Sequence, residues 1–250
     1  MIEHNWKNKN VLVVGASSGM GKSIAQYLNS LGANIFLVGR NEERLQGVKE
    51  LLKGSANDYL TYDLEDVENI GTIFSTTQKK GYKFDAFVFS AGIDCGMPIK
   101  VNNVQKDREM LNINTVSFLE LVKYITKKKN CTENLSIVAI SSIVTRILNP
   151  GSAIYASSKA ALDTIVKVAA KEFVQRKIRV NCISPALTDT PLITSRKESG
   201  GIYADNGIHL QKLGYIEPMQ IAYLTEFLLS EKAKYITAAN IEVNAAWNYE

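Results

Sequence analysis

The sequence is poor in the residues from which most metal and redox sites are built. Only two histidines occur, His4 and His209, which excludes an HExxH metal site and argues against a Ser-His-Asp hydrolase. The cysteines are odd in number and far apart, and no CxxC pair exists among Cys95, Cys131 and Cys182. We therefore expect no metal site and no disulfide framework, but free thiols in a reducing compartment, the cytoplasm.

Long apolar runs and a strong excess of one charge are also lacking. No stretch approaches the ~18 apolar residues of a membrane span, and the polar stretch Met1–Asn10 predicts no secretory signal. The net charge of +4 is too small and too scattered for a nucleic-acid partner. The densest basic run, Lys127–Lys129, is interpreted as a solvated helix end that the macrodipole favours. A docking patch for an acidic carrier is the alternative.

The sequence does contain a regular alternation of short apolar runs and helical patterns. The apolar runs predict strands at Val11–Val14, Ile35–Val38, Asn57–Tyr62, Phe84–Phe89, Leu135–Ile140, Ile178–Ile183 and Ile241–Val243. The helical patterns predict helices at Gly21–Leu31, Asn41–Leu52, Val67–Thr77, Val104–Lys127, Ala153–Gln175 and Ile221–Leu229. This alternation is typical of βαβ units on a parallel sheet. With 16 Gly and 5 Pro there is little room for linkers, so we expect a single domain over residues 1–250.

The polar segment Thr188–Gly214 interrupts the alternation. A long loop that follows a strand end in a parallel sheet lies beside the ligand crevice. We interpret it as a substrate-covering lid, with a surface insertion as the alternative. Its side chains mix polar residues with the apolar Ile193, Ile202, Tyr203 and Leu210.

The turn after the first predicted strand is rich in glycine. Gly15, Gly19 and Gly21 have the spacing G-x3-G-x-G and stand between a buried strand and an amphipathic helix. In that context the backbone N–H groups and the positive helix end face an anion, and a Cβ would block the phosphate or the turn. The Gly-Lys-Ser that begins at Gly21 lacks the spacing of a nucleoside-triphosphatase loop, which excludes that reading.

Tyr155 and Lys159 share one face of the alanine-rich helix because they lie four residues apart. An adjacent ammonium would lower the pKa of a tyrosine from its usual ~10, which suits proton exchange with a carbonyl or alcohol. By itself this pair is a chance pattern. Ser142 ends the preceding strand and is expected in the same crevice. Asn114 lies within the long helix, either buried with polar partners or facing solvent.

Taken together, these residues resemble the short-chain dehydrogenase/reductase family, from Val11 to about Ala246. The resemblance implies an α/β fold of Rossmann type: a doubly wound parallel sheet of about seven strands with helices on both faces. It implies a catalytic tetrad of Asn114, Ser142, Tyr155 and Lys159. The residues that it places on the cofactor are Gly15, Ser17, Ser18, Gly19, Met20, Gly21, Arg40, Asp63, Leu64, Ala91, Gly92, Tyr155, Lys159, Pro185, Thr188 and Thr190.

The chain departs from the family pattern at four places. Val14 replaces the usual Thr before the first glycine, and Phe89-Ser90 replaces the first half of an Asn-Asn-Ala-Gly motif. Ala186 replaces the Gly after Pro185, and Asn244-Ala245-Ala246 replaces a closing Asp-Gly-Gly. None of these changes falls on the tetrad. They indicate a divergent member of the family, and the family resemblance therefore does not determine its substrate.

The end of the second predicted strand indicates the cofactor. An acidic residue usually holds the ribose 2′-hydroxyl of NAD there, but this chain has Gly39 followed by Arg40. A guanidinium suits a 2′-phosphate, so we favour NADP(H) over NAD(H). Glu42 and Glu43 are expected to be solvated, and Ser18 stands where some family members carry a second basic residue.

The resemblance implies that NADPH reduces a carbonyl of ketone or 3-oxoacyl type. Tyr155 would donate the proton, and Ser142 would fix the carbonyl oxygen. Lys159 would lower the Tyr155 pKa and hold ribose hydroxyls. Asn114 would position a water. The alternatives are a sugar, polyol or secondary-alcohol dehydrogenase, and an NADP(H)-binding sensor or scaffold without turnover. We expect a small-molecule or carrier-bound substrate and a homo-oligomer, a tetramer or dimer, in which helix packing could use Ala156, Ala160, Ala161, Ala169 and Ala170.

Overall fold

All the strands that the structure contains are parallel and belong to one sheet. The structure, a computed structural model, describes residues 6–198 and 207–247. Its strands are β1 (Asn10–Val14), β2 (Asn34–Gly39), β3 (Asp58–Thr61), β4 (Phe84–Phe89), β5 (Cys131–Ile140), β6 (Arg179–Pro185) and β7 (Asn240–Val243). They are ordered β3-β2-β1-β4-β5-β6-β7. The predicted doubly wound sheet of Rossmann type is confirmed.

Helices cover both faces of the sheet. They are α1 (Gly19–Ser30), α2 (Glu42–Glu50), α3 (Gly71–Lys79), α4 (Val104–Leu111), α5 (Ser117–Ile125), α6 (Val144–Ile147), α7 (Ala153–Phe173), α8 (Pro191–Glu198) and α9 (Pro218–Leu229). Alternate residues of a strand face opposite sides. Val11 and Val13 accordingly pack with α1, α2 and α9, whereas Leu12 and Val14 pack with α3, α5 and α7. Val14, the departure before the first glycine, is a fully buried core residue.

The order of the strands reverses between β1 and β4, and this places the ligand crevice. In open α/β sheets the crevice lies outside the carboxyl ends of the strands at this switch point. The two strands pair up to Val14 and Phe89. Ser90 N then donates to Val14 O at 2.8 Å, so a backbone bond joins the two exits although the family's Asn is absent.

The predicted helix Val104–Lys127 is interrupted by a π-helical turn. Residues Asn112–Val116 form this turn between α4 and α5, and Asn114 lies at its centre. Such turns are rare inside helices and occur mostly at functional sites. Periodicity alone does not reveal it, because one extra residue in a turn barely changes the apolar pattern.

The predicted lid is not wholly irregular. Helix α8 occupies part of the segment and a short 3₁₀ turn, Ile208–Leu210, lies near its end. Its two ends are pinned together: the buried Gln211 amide accepts from Leu187 N at 2.8 Å and donates to Leu187 O at 2.9 Å. Ile202 and Tyr203 lie outside the described residues.

Two alanines near the C-terminus hold a backbone conformation that favours glycine. Ala245 has φ +48° and Ala246 has φ +57°, at the positions where the family usually has Gly-Gly. An L-residue in the left-handed region costs ~1–2 kcal/mol, part of which the unfolded-state entropy of glycine offsets.

We expect Ala245→Gly and Ala246→Gly each to raise the free energy of unfolding by ~0.5–1 kcal/mol. Denaturant unfolding measures this, and an Ala33→Gly control should lose stability instead. Equal or lower stability of both glycine variants would contradict the assignment of strain.

Candidate active site

The glycine turn forms a cradle at the switch point. Gly15 has φ +82°, and a Cβ there would lie 2.4 Å from Ala91 N. A Cβ on Gly21 would lie 2.1 Å from Gly15 O. The turn therefore folds back on itself and against the exit of β4 more tightly than any side chain allows. Helix α1 starts directly after it, with no acidic residue in its first turn, so the positive helix end is not neutralised.

A cavity opens in front of this cradle and runs between β2 and α8. The predicted cofactor residues that line it are Gly15, Ser17, Ser18, Gly19, Met20, Arg40, Asp63, Leu64, Ala91, Gly92 and Thr190. They come from five separate stretches of the chain, which the fold brings to one crevice. The remaining lining residues are Gly39, Asn41, Arg44, Tyr62, Ser90, Ile93, Ile113, Pro191 and Leu192.

Five predicted cofactor residues do not line the cavity: Tyr155 and Lys159 of the tetrad, and Gly21, Pro185 and Thr188. Gly21 lies buried beneath the turn. Pro185 ends β6, where its carbonyl accepts from Ile143 N at 3.1 Å. The Thr188 side chain is buried and donates to Ala186 O at 3.1 Å.

Two cations stand at the β2 end of the cavity. Arg40 follows β2, and Arg44 lies one turn into the capped end of α2, where Arg44 N donates to Asn41 Oδ1 at 2.8 Å. Both side chains are exposed and both line the cavity. Sequence reasoning missed Arg44. The available signal was its spacing from the cap Asn41, which turns this face of the helix towards the end of β2.

Asn114 is buried, and it holds the chain segment that leaves β4. Its Oδ1 accepts from Ile93 N at 2.8 Å, and its Nδ2 donates to Ile93 O at 2.9 Å. Nδ2 also donates to Ser158 Oγ at 3.0 Å, next to Lys159 in the chain. The solvent-facing alternative is therefore wrong. All the hydrogen-bonding groups of this amide are engaged in joining β4 to α7.

Lys159 projects from α7 to the exits of β4 and β5. It is only 4 % exposed, and Nζ donates to Ile140 O at 3.0 Å. A Cβ on Gly92 would lie 3.3 Å from Nζ and 3.4 Å from Asn114 Oδ1. Gly92 therefore allows the ammonium, the amide and the wall of the cavity to meet. Burial lowers the pKa of Lys159 to about 8.

Ser142 and Tyr155 are hydrogen-bonded to each other. Val144 N donates to Ser142 Oγ at 3.2 Å, which directs the serine O–H towards the tyrosine. The Lys159 ammonium lies 6.0 Å from the centre of the Tyr155 ring. The four residues of the predicted tetrad are thus brought together at the carboxyl ends of β4 and β5.

The expectation that Lys159 lowers the Tyr155 pKa is wrong for this structure. Burial raises the pKa of Tyr155, and the hydrogen bond from Ser142 offsets this in part. The Lys159 charge is not among the causes that act on the Tyr155 pKa. At neutral pH the Tyr155 hydroxyl keeps its proton and is a donor.

Other sequence expectations concern the surface. Lys127–Lys129 follow the end of α5 and are exposed. They lie at the edge where the strands begin, opposite the cavity, which agrees with a solvated helix end and not with a docking patch beside the site. His209 is exposed. Within residues 6–198 and 207–247, the helices are too short or too polar to cross a membrane, and no cluster of metal-ligating side chains is present.

Comparison with known sequences identifies the relatives of this chain. Residues 15–248 match the profile of a family described as enoyl-(acyl carrier protein) reductase. The 3-oxoacyl-[acyl-carrier-protein] reductase FabG of Rickettsia conorii is 32% identical over 237 residues, 94% of this chain and 95% of its own length. The 2,5-dichloro-2,5-cyclohexadiene-1,4-diol dehydrogenase LinX of Sphingobium indicum is 27% identical over 242 residues, 96% of each.

The fold has solved counterparts. A dehydrogenase/reductase from Sinorhizobium meliloti superposes with a TM-score of 0.88 at 26% identity, covering 98% of this chain and 96% of that one. A short-chain dehydrogenase from Burkholderia cenocepacia, solved with NADP, gives 0.88 at 23% identity, covering 96% and 98%. These superpositions agree with the Rossmann-type fold of this chain.

Proposed function

The chain belongs to the short-chain dehydrogenase/reductase family of NAD(P)-dependent oxidoreductases acting on CH–OH and C=O groups, and on that premise we propose that it is an NADPH-dependent carbonyl reductase. The observation that carries this proposal is the convergence of Ser142, Tyr155, Lys159 and Asn114 beside a glycine cradle too tight for any Cβ. A ketone or a 3-oxoacyl group is the proposed substrate.

The cavity fits NADP(H). The cradle and the positive end of α1 suit a pyrophosphate, and Arg40 and Arg44 suit a 2′-phosphate because a guanidinium binds phosphate oxygens in pairs. Among the described residues, Asp63 is the acidic side chain that lines the cavity. Lys159 would donate to ribose hydroxyls, and Thr190 would flank the nicotinamide.

NADPH held by the cradle, Arg40 and Lys159 would supply a hydride for the carbonyl carbon and leave as NADP⁺. The Ser142 hydroxyl donates to the carbonyl oxygen and fixes it beside Tyr155. The Tyr155 hydroxyl, whose raised pKa keeps it protonated at neutral pH, gives its proton to that oxygen as a general acid. A protonated tyrosine favours the direction of reduction. Asn114 holds the β4 exit and Ser158 in place, which leaves Lys159 correctly oriented.

The described part of the predicted lid supports substrate binding at the α8 side. Pro191 and Leu192 form one wall of the cavity, next to Thr190, whose side chain would lie 3.3 Å from a Cβ on Gly19. We keep the proposal that residues 188–214 cover the substrate. An apolar wall at this place suits an acyl or alkyl carbonyl better than a sugar.

A panel assay tests the function. NADPH oxidation should be followed with 3-oxoacyl thioesters, simple ketones, diketones and keto-sugars. Turnover of oxoacyl or alkyl ketones supports the proposal, and turnover of keto-sugars only, or of alcohols with NADP only, supports the dehydrogenase alternatives. NADPH binding without oxidation across the panel would favour a sensor.

Arg40 is expected to set the cofactor preference. A hydrogen bond to a charged partner contributes ~1.5–3 kcal/mol, so Arg40→Ala should weaken NADPH binding ~10- to 100-fold and change NADH binding less than ~twofold. Fluorescence titration of both cofactors measures this. Arg108→Ala removes the same charge from the exposed face of α4 and serves as the control. Equal losses for NADPH and NADH would show that Arg40 does not read the 2′-phosphate.

We also propose a homo-oligomer in which α5 and α7 take part. Leu119 is 49 % exposed and Val168 is 47 % exposed. Ala160 is exposed as well, whereas Ala156, Ala169 and Ala170 are buried in this chain. Light scattering should give the mass of two or four chains. A monomer at micromolar concentration would refute this.

A further inference from the structure

A patch of polar side chains lies under the middle of α7, on a sheet face that is otherwise apolar. Cys182 on β6 pairs in register with Asn240 on β7. Ser184 follows two residues after Cys182, on the same face, and its hydroxyl donates to Asn240 Oδ1 at 2.7 Å. Buried polar groups are kept in folded proteins when they have partners. Cys182 and Asn240 both contact one carboxylate, and Ser184 supports Asn240 from the other side of its amide.

That carboxylate is Asp163, which α7 holds over the patch. Cys182 Sγ donates to Oδ1 at 3.6 Å, and Asn240 Nδ2 donates to Oδ2 at 2.9 Å. Burial and the nearby carboxylate raise the pKa of the Cys182 thiol, so the thiol keeps its proton and remains a donor. The buried Ser141 hydroxyl makes no hydrogen bond of normal length, yet it faces Asp163 closely enough to lower its pKa.

Asp163 stands one helical turn after Lys159, on the same face of α7. Residues four apart on a helix are neighbours, and the sequence Tyr155, Lys159, Asp163 continues that face from the active site towards β7. The Lys159 ammonium itself reaches Ile140 O, the residue before Ser141. The two side chains thus share one face of α7 without forming an ion pair, and hydrogen bonds from Cys182 and Asn240 hold the carboxylate in place.

We propose that Asp163 is a positioning residue of the active site: its carboxylate, fixed by Cys182 and Asn240, keeps the Lys159 side chain protonated and oriented for the cofactor ribose. The inference rests on the proposed NADP(H) site. It extends the tetrad by a residue that does not touch substrate or cofactor and acts only through Lys159.

The charges around the pair have the required signs. Burial lowers the pKa of Lys159 to about 8, and the Asp163 carboxylate on α7 opposes this effect. The Cys182 thiol on β6 keeps its proton in this pH range and adds no charge. For Asp163, burial raises the pKa, whereas the nearby Ser141 hydroxyl, the hydrogen bond from Cys182 and the charges of Lys159 and Lys167 lower it. Removing the negative charge leaves burial unopposed, so the Lys159 pKa must fall further.

The pH dependence follows from the sign of this shift. Lys159 is protonated below about pH 8 and neutral above it, so NADPH affinity should decline as the pH rises through 8. In Asp163→Asn the decline should begin about one pH unit lower, the size expected for a charge a few ångströms away in a protein of intermediate dielectric. The two proteins should then bind NADPH about equally at pH 6 and differ roughly tenfold at pH 9.

Fluorescence titration of NADPH binding between pH 6 and 9.5 tests the proposal without requiring turnover. Asp163→Glu keeps the charge and should retain the wild-type midpoint. Asn240→Ala removes a support but not the charge, so it should lower thermal stability and leave the midpoint in place. If Asp163→Asn does not fold, Asp163→Ser is a second neutral variant with the same expected shift. The alkaline limb of kcat/KM for carbonyl reduction should move with the binding midpoint.

The outcomes separate this inference from the proposed function. A wild-type protein that binds no NADPH at any pH would overturn both. In a second outcome, the NADPH affinity of the wild-type protein declines near pH 8 and that of Asp163→Asn follows the same curve. This would overturn the role of Asp163 alone. If Asn240→Ala lowered the midpoint as much as Asp163→Asn does, the role of Asp163 would also be overturned. Packing and not charge would then control the pKa of Lys159.

Discussion

Replacing Tyr155 by Phe should reduce kcat for NADPH-dependent carbonyl reduction about 10³-fold, because general acid catalysis contributes ~10²–10⁴-fold. The substitution removes only the hydroxyl that Ser142 hydrogen-bonds. The ring keeps its place on α7, so NADPH affinity should change less than ~threefold, since a single neutral hydrogen bond contributes ~1 kcal/mol at most to such binding. Steady-state kinetics and a fluorescence titration measure the two effects separately.

A matched variant keeps this result interpretable. Tyr82 is also a partly buried tyrosine, but its hydroxyl donates to Ala56 O at 2.7 Å, far from the cavity. Tyr82→Phe should leave turnover within ~twofold, because its neutral hydrogen bond affects only stability. If Tyr155→Phe retained wild-type kcat, another group would have to supply the proton, and the assignment of the acid would be wrong.

Replacing Gly21 by Ala should abolish useful cofactor binding. The new Cβ would lie 2.1 Å from Gly15 O, so the first glycine of the turn must move, and the backbone N–H groups move with it. We expect NADPH affinity to fall at least ~100-fold and the free energy of unfolding to drop by ~1–3 kcal/mol, the usual cost of overpacking. Titration and denaturant unfolding check both numbers.

Gly47 provides the same substitution in open space. No atom lies within 4 Å of a Cβ built there, in the middle of α2. Gly47→Ala should leave NADPH affinity unchanged and raise stability by up to ~1 kcal/mol, the difference in helix propensity. An intact NADPH site in Gly21→Ala would mean that the cradle does not hold the pyrophosphate.

Much of this fold was predictable because the sheet is buried on both faces. Its strands are continuous apolar runs, so each stands out from the amphipathic helices between them. The ends of the elements were less certain. The third helix was expected at Val67–Thr77 and lies at Gly71–Lys79, since capping and turns set an end more than periodicity does. Helix α8 was not predicted because its residues lack an apolar face.

The site was predictable where chemistry demands a particular residue type. Glycine in the cradle and the Tyr155–Lys159 pair leave a signature in the sequence. The cation Arg44 leaves only its spacing from the cap Asn41. The carboxylate Asp163 leaves no signature, because its role depends on neighbours that the fold brings from distant strands. The direction of the Tyr155 pKa shift was also beyond the sequence. It depends on how deeply the side chain is buried and on its hydrogen bond with Ser142.

The most direct test of the central claim is the transfer of deuterium. The protein should be incubated with a 3-oxoacyl thioester or a ketone and with NADPH deuterated at C4, in separate experiments with each of the two stereospecific labels. The account predicts a product alcohol that carries deuterium on the former carbonyl carbon with one label only, and no labelled product from Tyr155→Phe in the same time. Bound NADPH with no labelled alcohol from any carbonyl of the panel would contradict it.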